Sequence, residues 1–189
     1  MIGELTVVTR ATAQPVDLQA VKSHLRIKHD DDNSTIARLV RAATRWAEGL
    51  TGRKFVSETY DWRLPRFPAG RCIEMPRAPL SSVTSVKYQD VDDSQQTFAA
   101  ASYNVSTPTD KPGVLELDAD KSWPSIYDRR DAVEIRFVAG YGTPAKCPDD
   151  VKAAICLHVE AFYDRGPEMA ANVKAAEMVL NDSRLPVAV

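Results

Sequence analysis

The clearest hydrophobic pattern in the chain lies between residues 34 and 50. Apolar residues recur there at spacings of three and four, as they do on the buried stripe of an amphipathic α-helix. They are Ile36, Leu39, Val40, Ala43, Trp46, Ala47 and Leu50. The pattern predicts a helix from Ser34 to Leu50. Gly52 is suited to end it, because glycine readily adopts the left-handed conformation found after a helix.

Three arginines form a basic row on this predicted helix, apart from its apolar stripe. Arg38, Arg41 and Arg45 are separated by three and four residues and therefore share one face. The row is open to three interpretations: a solvated face, a contact with acidic residues of a neighbouring copy, or a contact with DNA. We prefer the first two, because the chain as a whole carries no excess of positive charge.

Residues 55–142 alternate between apolar and polar side chains, as half-buried β-strands do. Val133, Ile135 and Phe137, for example, alternate with Glu134 and Arg136. Proline, glycine and aspartate interrupt the alternation at positions typical of turns. The predicted strands cover residues 56–64, 72–75, 83–89, 96–99, 103–106, 114–117 and 133–138.

Helical patterns lie on both sides of this β-rich segment. Asp17 can cap a short helix over residues 17–25 by accepting hydrogen bonds from free backbone N–H groups. Pro148, followed by two aspartates, is typical of the first turn of a helix, and Gly166 with Pro167 ends that helix. A weaker pattern predicts a last helix over residues 171–181.

These elements predict the fold class and the domain organisation. We expect an α+β fold in which the terminal α-helices pack together, with a small antiparallel β-sheet inserted between them. A chain of 189 residues is long enough for one independently stable core, so we expect a single domain. The expected parts are helices over about 17–52 and 148–183, a β-rich insert over about 55–142, and a C-terminal tail over 184–189.

Charge, cysteine content and the lengths of apolar runs limit the classes of protein to which this chain is expected to belong. The 24 basic and 26 acidic residues give a net charge of −2, which does not favour non-specific nucleic-acid binding. The three cysteines are an odd number without metal-site spacing, so we expect reduced thiols in a cytosolic setting. The N-terminal apolar run is too short for a secretory signal, and no window approaches the ~20 apolar residues of a membrane-spanning helix.

No pattern indicates a catalytic, metal or cofactor site. His24 and His29 are five residues apart and do not share a helical face, so we do not expect them to bind zinc together. His158 lies beside the apolar face of a predicted helix and is expected to be packed or at an interface. The run Asp30 to Asp32 lacks the glycine and the final glutamate of a calcium loop, and we attribute it to helix capping.

The order of several short motifs resembles the phage head–tail connector family, also described as adaptor or head-completion proteins. The resemblance covers about residues 17–166. No single motif is specific, but their order and spacing together are. They are Val21 to Ile27, an acidic loop, Ala42 to Arg53, Pro79 to Val86, Ser122 to Pro124, Phe137 to Gly142 and Pro148 to Tyr163.

The resemblance implies a function in assembly. Proteins of this family are structural components of the neck in tailed phages, prophages and gene transfer agents, assembled in the bacterial cytoplasm. It implies a dodecameric ring of this chain beneath a portal protein, with a tail-side neck or stopper protein below. DNA would pass through the channel of the ring without sequence-specific binding. The family offers no catalytic residues to carry over.

The apolar C-terminal tail has two interpretations. It is either disordered or a peptide that docks on a partner, since an apolar end exposed for no purpose is a solubility liability. The resemblance suggests that it docks into the portal. The residues concerned are Leu185, Pro186, Val187, Ala188 and Val189.

Two other classes of function stay open. One is a nucleic-acid-binding module that uses Arg38, Arg41 and Arg45. The other is a hydrolase, which would require a cleft that gathers His158 with a nucleophile and a carboxylate. The structural function that the resemblance implies makes a different demand: a closed head-to-tail ring requires two different complementary patches on every copy.

Overall fold

A computed structural model describes residues 3–164 and 166–185 of the chain. The described residues contain four α-helices and two antiparallel sheets, so the α+β class is confirmed. They divide into two compact units. The β unit comprises residues 3–10 and 57–140, and the helical unit comprises residues 11–56, 141–164 and 166–185. Whether the units fold together as one domain stays a prediction.

The β unit contains eight strands among the described residues. They are β1 (Glu4–Thr9), β2 (Glu58–Leu64), β3 (Cys72–Glu74), β4 (Leu80–Gln89), β5 (Gln95–Phe98), β6 (Tyr103–Ser106), β7 (Val114–Leu117) and β8 (Val133–Ala139). The larger sheet has the order β1-β2-β8-β4-β5 and the smaller one β3-β7-β6. The predicted strands over 103–106 and 114–117 are confirmed to the residue.

The finer expectation of one small sheet inserted between terminal helices is reproduced only in part. The described residues form two sheets, and β1 joins the larger one although it precedes the first helix. Leu5 and Val7 lie opposite Trp62 and Tyr60, so β1 extends the apolar face of β2. Strand patterning shows which face of a strand is buried but does not identify its neighbour.

The core of the β unit lies on one face of the larger sheet. Phe137 in the central strand β8 lies opposite Tyr60 and Val83, and its ring stacks on that of Tyr60 with 5.4 Å between centroids. Ile135 and Val133 follow on the same face, because alternate residues of a strand point the same way. Phe137, Ile135 and Val133 are fully buried.

The opposite face of the sheet is polar and carries charges of both signs. One row across four strands consists of Glu4, Arg63, Glu134 and Lys87. The signs of the charges alternate along this row, and Arg63 Nε donates to Glu134 Oε2 at 3.1 Å. In the next row, Arg136 donates two hydrogen bonds to the carboxylate of Asp61, at 2.7 and 2.8 Å. This face is therefore nearly self-neutralised.

Replacing Asp61 with asparagine is expected to lower the free energy of unfolding by about 1–2 kcal/mol, because Arg136 loses its charged acceptor. The hydrogen bonds from Arg136 lower the pKa of Asp61 below 3.8. The ionised carboxylate therefore stabilises the fold above that pH, and the contribution is lost as pH falls through the folded pKa. Urea denaturation at several pH values should show wild type and Asp61→Asn converging below about pH 4. The exposed Asp120→Asn serves as the control, and an equal loss there would contradict the assignment.

The helical unit contains four α-helices among the described residues. They are α1 (Leu18–His24), α2 (Asn33–Thr51), α3 (Asp149–Asp164) and α4 (Met169–Asn181). Asp17 caps α1 by accepting a hydrogen bond from the backbone N–H of Ala20 at 2.7 Å. Gly52, with φ of 72°, ends α2 in the left-handed conformation. Both predicted helix ends are confirmed.

The core of the helical unit joins all four helices. The apolar stripe of α2 packs with residues of α1, α3 and α4. Its fully buried members include Val21, Ile36, Ala43, Ala47, Val151, Ile155, Val159, Ala176 and Leu180. None of the helices in the described residues is long and apolar enough to span a membrane.

The attribution of the aspartate run to helix capping is wrong. Asp32 occupies the position before α2, but its side chain makes no capping hydrogen bond. It accepts instead from the Tyr163 hydroxyl at 2.7 Å, whereas Asp30 accepts from Lys22 and Asn33. The carboxylates of Asp30 and Asp32 therefore accept from side-chain donors, and only the donor to Asp32, Tyr163, is distant in sequence.

Candidate functional site

The arginine row lies on the side of α2 opposite its buried stripe. Arg38, Arg41 and Arg45 are all exposed, whereas Ile36 and Ala43 are fully buried. Helical geometry places these two sets on opposite faces. Within the described residues no hydrogen bond or ion pair is found for the three guanidinium groups. The row is thus a compact, uncompensated basic surface, and its role stays a prediction.

An apolar pocket lies beside this row. Its volume is about 570 Å³, and Arg41 contributes to its edge. Lys152, another charged lining residue, donates to Asp149 at 3.0 Å. The apolar lining includes Ala13, Pro15, Val16, Leu18, Ala37, Val40 and Ala145. The pocket has the character of a docking site for an apolar side chain, and its lining holds no arrangement of nucleophile and base.

The segment around Ser183 and Leu185, where the C-terminal tail begins, is held at the end of α2. The Leu185 N–H donates to the Thr51 carbonyl at 3.0 Å, and the Leu185 side chain lies next to Gly52. Arg53 is only 5% exposed and donates through Nε to the Ser183 carbonyl at 2.6 Å. Of the residues proposed to dock on a portal, Leu185 is therefore half-buried on the chain's own surface, whereas Pro186, Val187, Ala188 and Val189 lie outside the described residues.

Sequence reasoning missed Arg53. Its Nη1 also donates to the Tyr141 hydroxyl at 3.4 Å, so it links three segments of the helical unit. The only sequence signal was a basic residue directly after the glycine that ends a helix. Its partner Ser183 is 130 residues away, and a local pattern cannot identify such a partner.

An acidic cleft at the end of α3 was also missed. Glu160, Asp164 and Glu168 line a cleft of about 320 Å³ together with Ala161 and Met169. Asp164 and Glu168 are exposed. Glu160 lies 2.8 Å from the Nε2 atom of His24. The three carboxylates follow one another at intervals of four residues. This spacing would place them on one face of a continuous helix, but Gly166 and Pro167 separate α3 from α4. The sequence alone therefore does not indicate that they share a cleft.

His158 is packed among aromatic rings in the helical unit. His158 is buried, and its ring lies 4.2 Å from that of Trp46 and 4.7 Å from that of Phe162, measured between centroids. Burial lowers its pKa, which favours the neutral ring. The expectation that His158 is packed is confirmed. Its aromatic neighbours provide neither the nucleophile nor the carboxylate that a hydrolase would require.

The cysteines are free thiols. Cys147 and Cys156 are buried, and Cys72 is exposed. Burial raises the pKa of Cys147 to about 12 and also raises that of Cys156. Both thiols therefore stay protonated near neutral pH and are poor nucleophiles.

The chain matches one protein-family model over most of its length. The model is described as "Head completion protein" and matches residues 16–177. No curated protein matches the sequence.

The fold is similar to that of chains in solved structures of gene transfer agent (GTA) particles. A chain from "Neck of empty GTA particle computed with C6 symmetry" has a TM-score of 0.76 and 21% identity, over 98% of this chain and 97% of that chain. One from "Virion of native gene transfer agent (GTA) particle" has a TM-score of 0.74 and 22% identity, with the same coverage. One from "Neck of native GTA particle computed with C12 symmetry" has a TM-score of 0.69 and 22% identity, over 100% of this chain and 98% of that chain.

Proposed function

This chain belongs to the head completion protein family, and from that premise we propose that it is a structural head–tail adaptor in the neck of a phage or phage-like particle. The observation that carries the proposal is the family match over residues 16–177. The similarity of fold to neck chains, which extends over nearly the whole of both chains, supports it. The function is one of assembly and requires no reaction to be catalysed.

The first partner in this proposal is the chain itself, in a ring of twelve copies. The similar neck chains come from structures with C6 and C12 symmetry, and a twelve-membered ring has both symmetries. A head-to-tail ring requires two different patches on each copy that complement each other. The exposed arginine row is the candidate for one of them.

The other proposed protein partners lie above and below the ring. On the head side, the tail from Leu185 to Val189 would dock into the portal protein. Leu185 is fixed at the end of α2 by its hydrogen bond to Thr51, which gives the following residues a defined point of departure. On the tail side, the ring would contact a neck or stopper protein.

DNA is the last proposed partner, and it passes through the ring without sequence-specific binding. Many basic contacts repeated around a ring would hold DNA firmly, because each neutralised phosphate adds to the binding free energy through counterion release. The chain has a net charge of −2, and the polar face of its larger sheet carries paired charges. Such surfaces favour passage over retention.

Removing the chain from a producer cell tests this function directly. We expect electron micrographs of the resulting particles to show filled or leaking heads without tails, because the joint between portal and tail is missing. Supplying the wild-type chain from a plasmid should restore tailed particles. Normal tailed particles in the absence of the chain would refute the proposal.

The second candidate function is that of a nucleic-acid-binding module, because the arginine row is exposed. A module that contacts phosphates through Arg38, Arg41 and Arg45 would show a salt slope of about −0.9 for each phosphate neutralised on duplex DNA. We expect the purified chain to show weak binding without a steep salt dependence. A steep slope that disappears in the triple glutamine variant at these positions would instead favour the module.

A further inference from the structure

We propose that the arginine row of one copy binds the acidic cleft of the next copy in the ring. This inference rests on the proposed function, because it assigns the two complementary patches that a closed ring of this chain requires. The first patch is Arg38, Arg41 and Arg45 on α2. The second is Glu160, Asp164 and Glu168 at the junction of α3 and α4.

The first patch is a helix face that the helical unit leaves unpartnered. Its three side chains are exposed, and no acidic side chain is found within ion-pair distance of them in the described residues. Exposed Ala42 lies between Arg41 and Arg45 in sequence, and its small side chain leaves the guanidinium groups accessible. Three uncompensated like charges within two helical turns repel one another, and an acidic partner relieves that repulsion.

The second patch offers a recess as well as charge. The cleft of about 320 Å³ has the half-buried Met169 in its lining, which can pack against the methylene groups of an arginine side chain. Carboxylates at its edge can then accept hydrogen bonds from the guanidinium group, which presents several N–H donors in one plane. Asp164 and Glu168 have no ion pair among the described residues, so both are available to a partner.

The two patches have the placement that a head-to-tail contact requires. Both belong to the helical unit, and α2 and α3 pack together through their buried stripes. The arginine row points away from the stripe of α2. Glu160 and Asp164 point away from the stripe of α3, which contains Ile155 and Val159. The same copy can therefore bind one neighbour through each patch.

Charge complementarity favours a second copy over DNA as the occupant. The arginine row would meet Asp164 and Glu168, which are exposed and have no ion pair among the described residues, so a second copy of the chain supplies opposite charge without another component. DNA would satisfy the arginines but would be repelled by the acidic cleft. Complementary charges across an interface fix the register of the contact and disfavour wrong partners, on which like charges would meet.

Reversing the charges of each patch tests the contact in assembling particles. Arg41→Glu with Arg45→Glu gives one variant, and Asp164→Lys with Glu168→Lys gives the other; Glu160 is kept because it also contacts His24. Each variant is supplied as the full chain to producer cells that lack it. We expect each to reduce the number of tailed particles about tenfold or more, because like charges then face each other at every contact.

Combining the reversals distinguishes the proposed contact from a general loss of stability. A chain carrying all four substitutions should restore tailed particles to within about threefold of wild type, because opposite charges meet again. Co-expression of the two reversed chains should also restore them, through rings in which the two chains alternate. Lys111→Glu with Asp92→Lys, exposed charges of the β unit, is the control and should have no effect.

Three results distinguish an error in the proposed function from an error in the proposed contact. Tailed particles without any copy of the chain would refute the proposed function itself. If the chain is required but both reversed variants assemble normally, the contact proposed here is wrong and the function stands. If each reversal blocks assembly, with an unchanged melting temperature, and the combined chain does not recover, the acidic cleft is not the partner of the arginine row. The neutral pairs Arg41→Gln with Arg45→Gln, and Asp164→Asn with Glu168→Gln, replace any reversed chain that fails to fold.

Discussion

Phe137→Ala is expected to lower the free energy of unfolding by about 3–5 kcal/mol, among the largest effects of any single substitution in this chain. Phe137 is fully buried in the central strand of the larger sheet, between Tyr60 on β2 and Val83 on β4. Removing its ring leaves a cavity and eliminates the stack on Tyr60. Because small domains are stable by only about 5–15 kcal/mol, this loss is a large fraction of the total. Urea denaturation followed by far-ultraviolet circular dichroism measures it.

The neighbouring residue is the matched control for this prediction. Val138 is adjacent in the same strand but belongs to the opposite face, where it lies across from Thr59 and Ser82. We expect Val138→Ala to cost about 1 kcal/mol or less, because the side chain is only half-buried. Equal losses from the two substitutions would contradict the assignment of the faces, since one residue of register exchanges them.

The sequence predicted most elements because their signals are local. The stripe of α2 and the glycine that ends it are sufficient to locate that helix, and the structure places it at Asn33–Thr51 against the predicted 34–50. Strands β6 and β7 are bounded by turn residues and were predicted with their observed ends. The alternation of Val133, Ile135 and Phe137 with polar residues agrees with the alternating burial observed along β8.

The sheet order could not be predicted from the same signals. The order β1-β2-β8-β4-β5 joins strands that are far apart in the chain, and periodicity carries no information on pairing. The alternation in the sequence therefore does not identify β2 as the partner of Leu5 and Val7. Two sheets result where one was expected.

The residues of the candidate site also differ in whether a local sequence pattern can reveal them. The arginine row was found because its members share one helix face, and the structure confirms their exposure. Arg53 and the acidic cleft were missed, because each depends on residues that only tertiary structure brings together. The aspartate run was explained wrongly for the same reason, since Tyr163 is 131 residues from Asp32.

Arg53→Met is expected to lower the free energy of unfolding by about 2–3 kcal/mol and to release the segment around Ser183 and Leu185. Methionine keeps much of the length of the arginine side chain but provides no donor, so the carbonyl of Ser183 and the hydroxyl of Tyr141 lose their hydrogen bonds. The backbone around Leu185 should then detach from Thr51. We expect faster amide hydrogen exchange at Ser183 and Leu185, together with a lower urea midpoint.

Arg53→Met is also expected to affect the assembly of particles. If Leu185 takes part in docking into a portal, its release in Arg53→Met means that it must lose conformational entropy on binding that it has already lost in the wild-type chain. Arg53→Met should therefore reduce tailed particles more than its loss of stability alone explains. Arg184→Met is the matched control, because Arg184 is exposed, lies in the same segment and is expected to leave exchange at Leu185 unchanged. Exchange at Leu185 that is equally fast in both variants would show that Arg53 does not hold this segment.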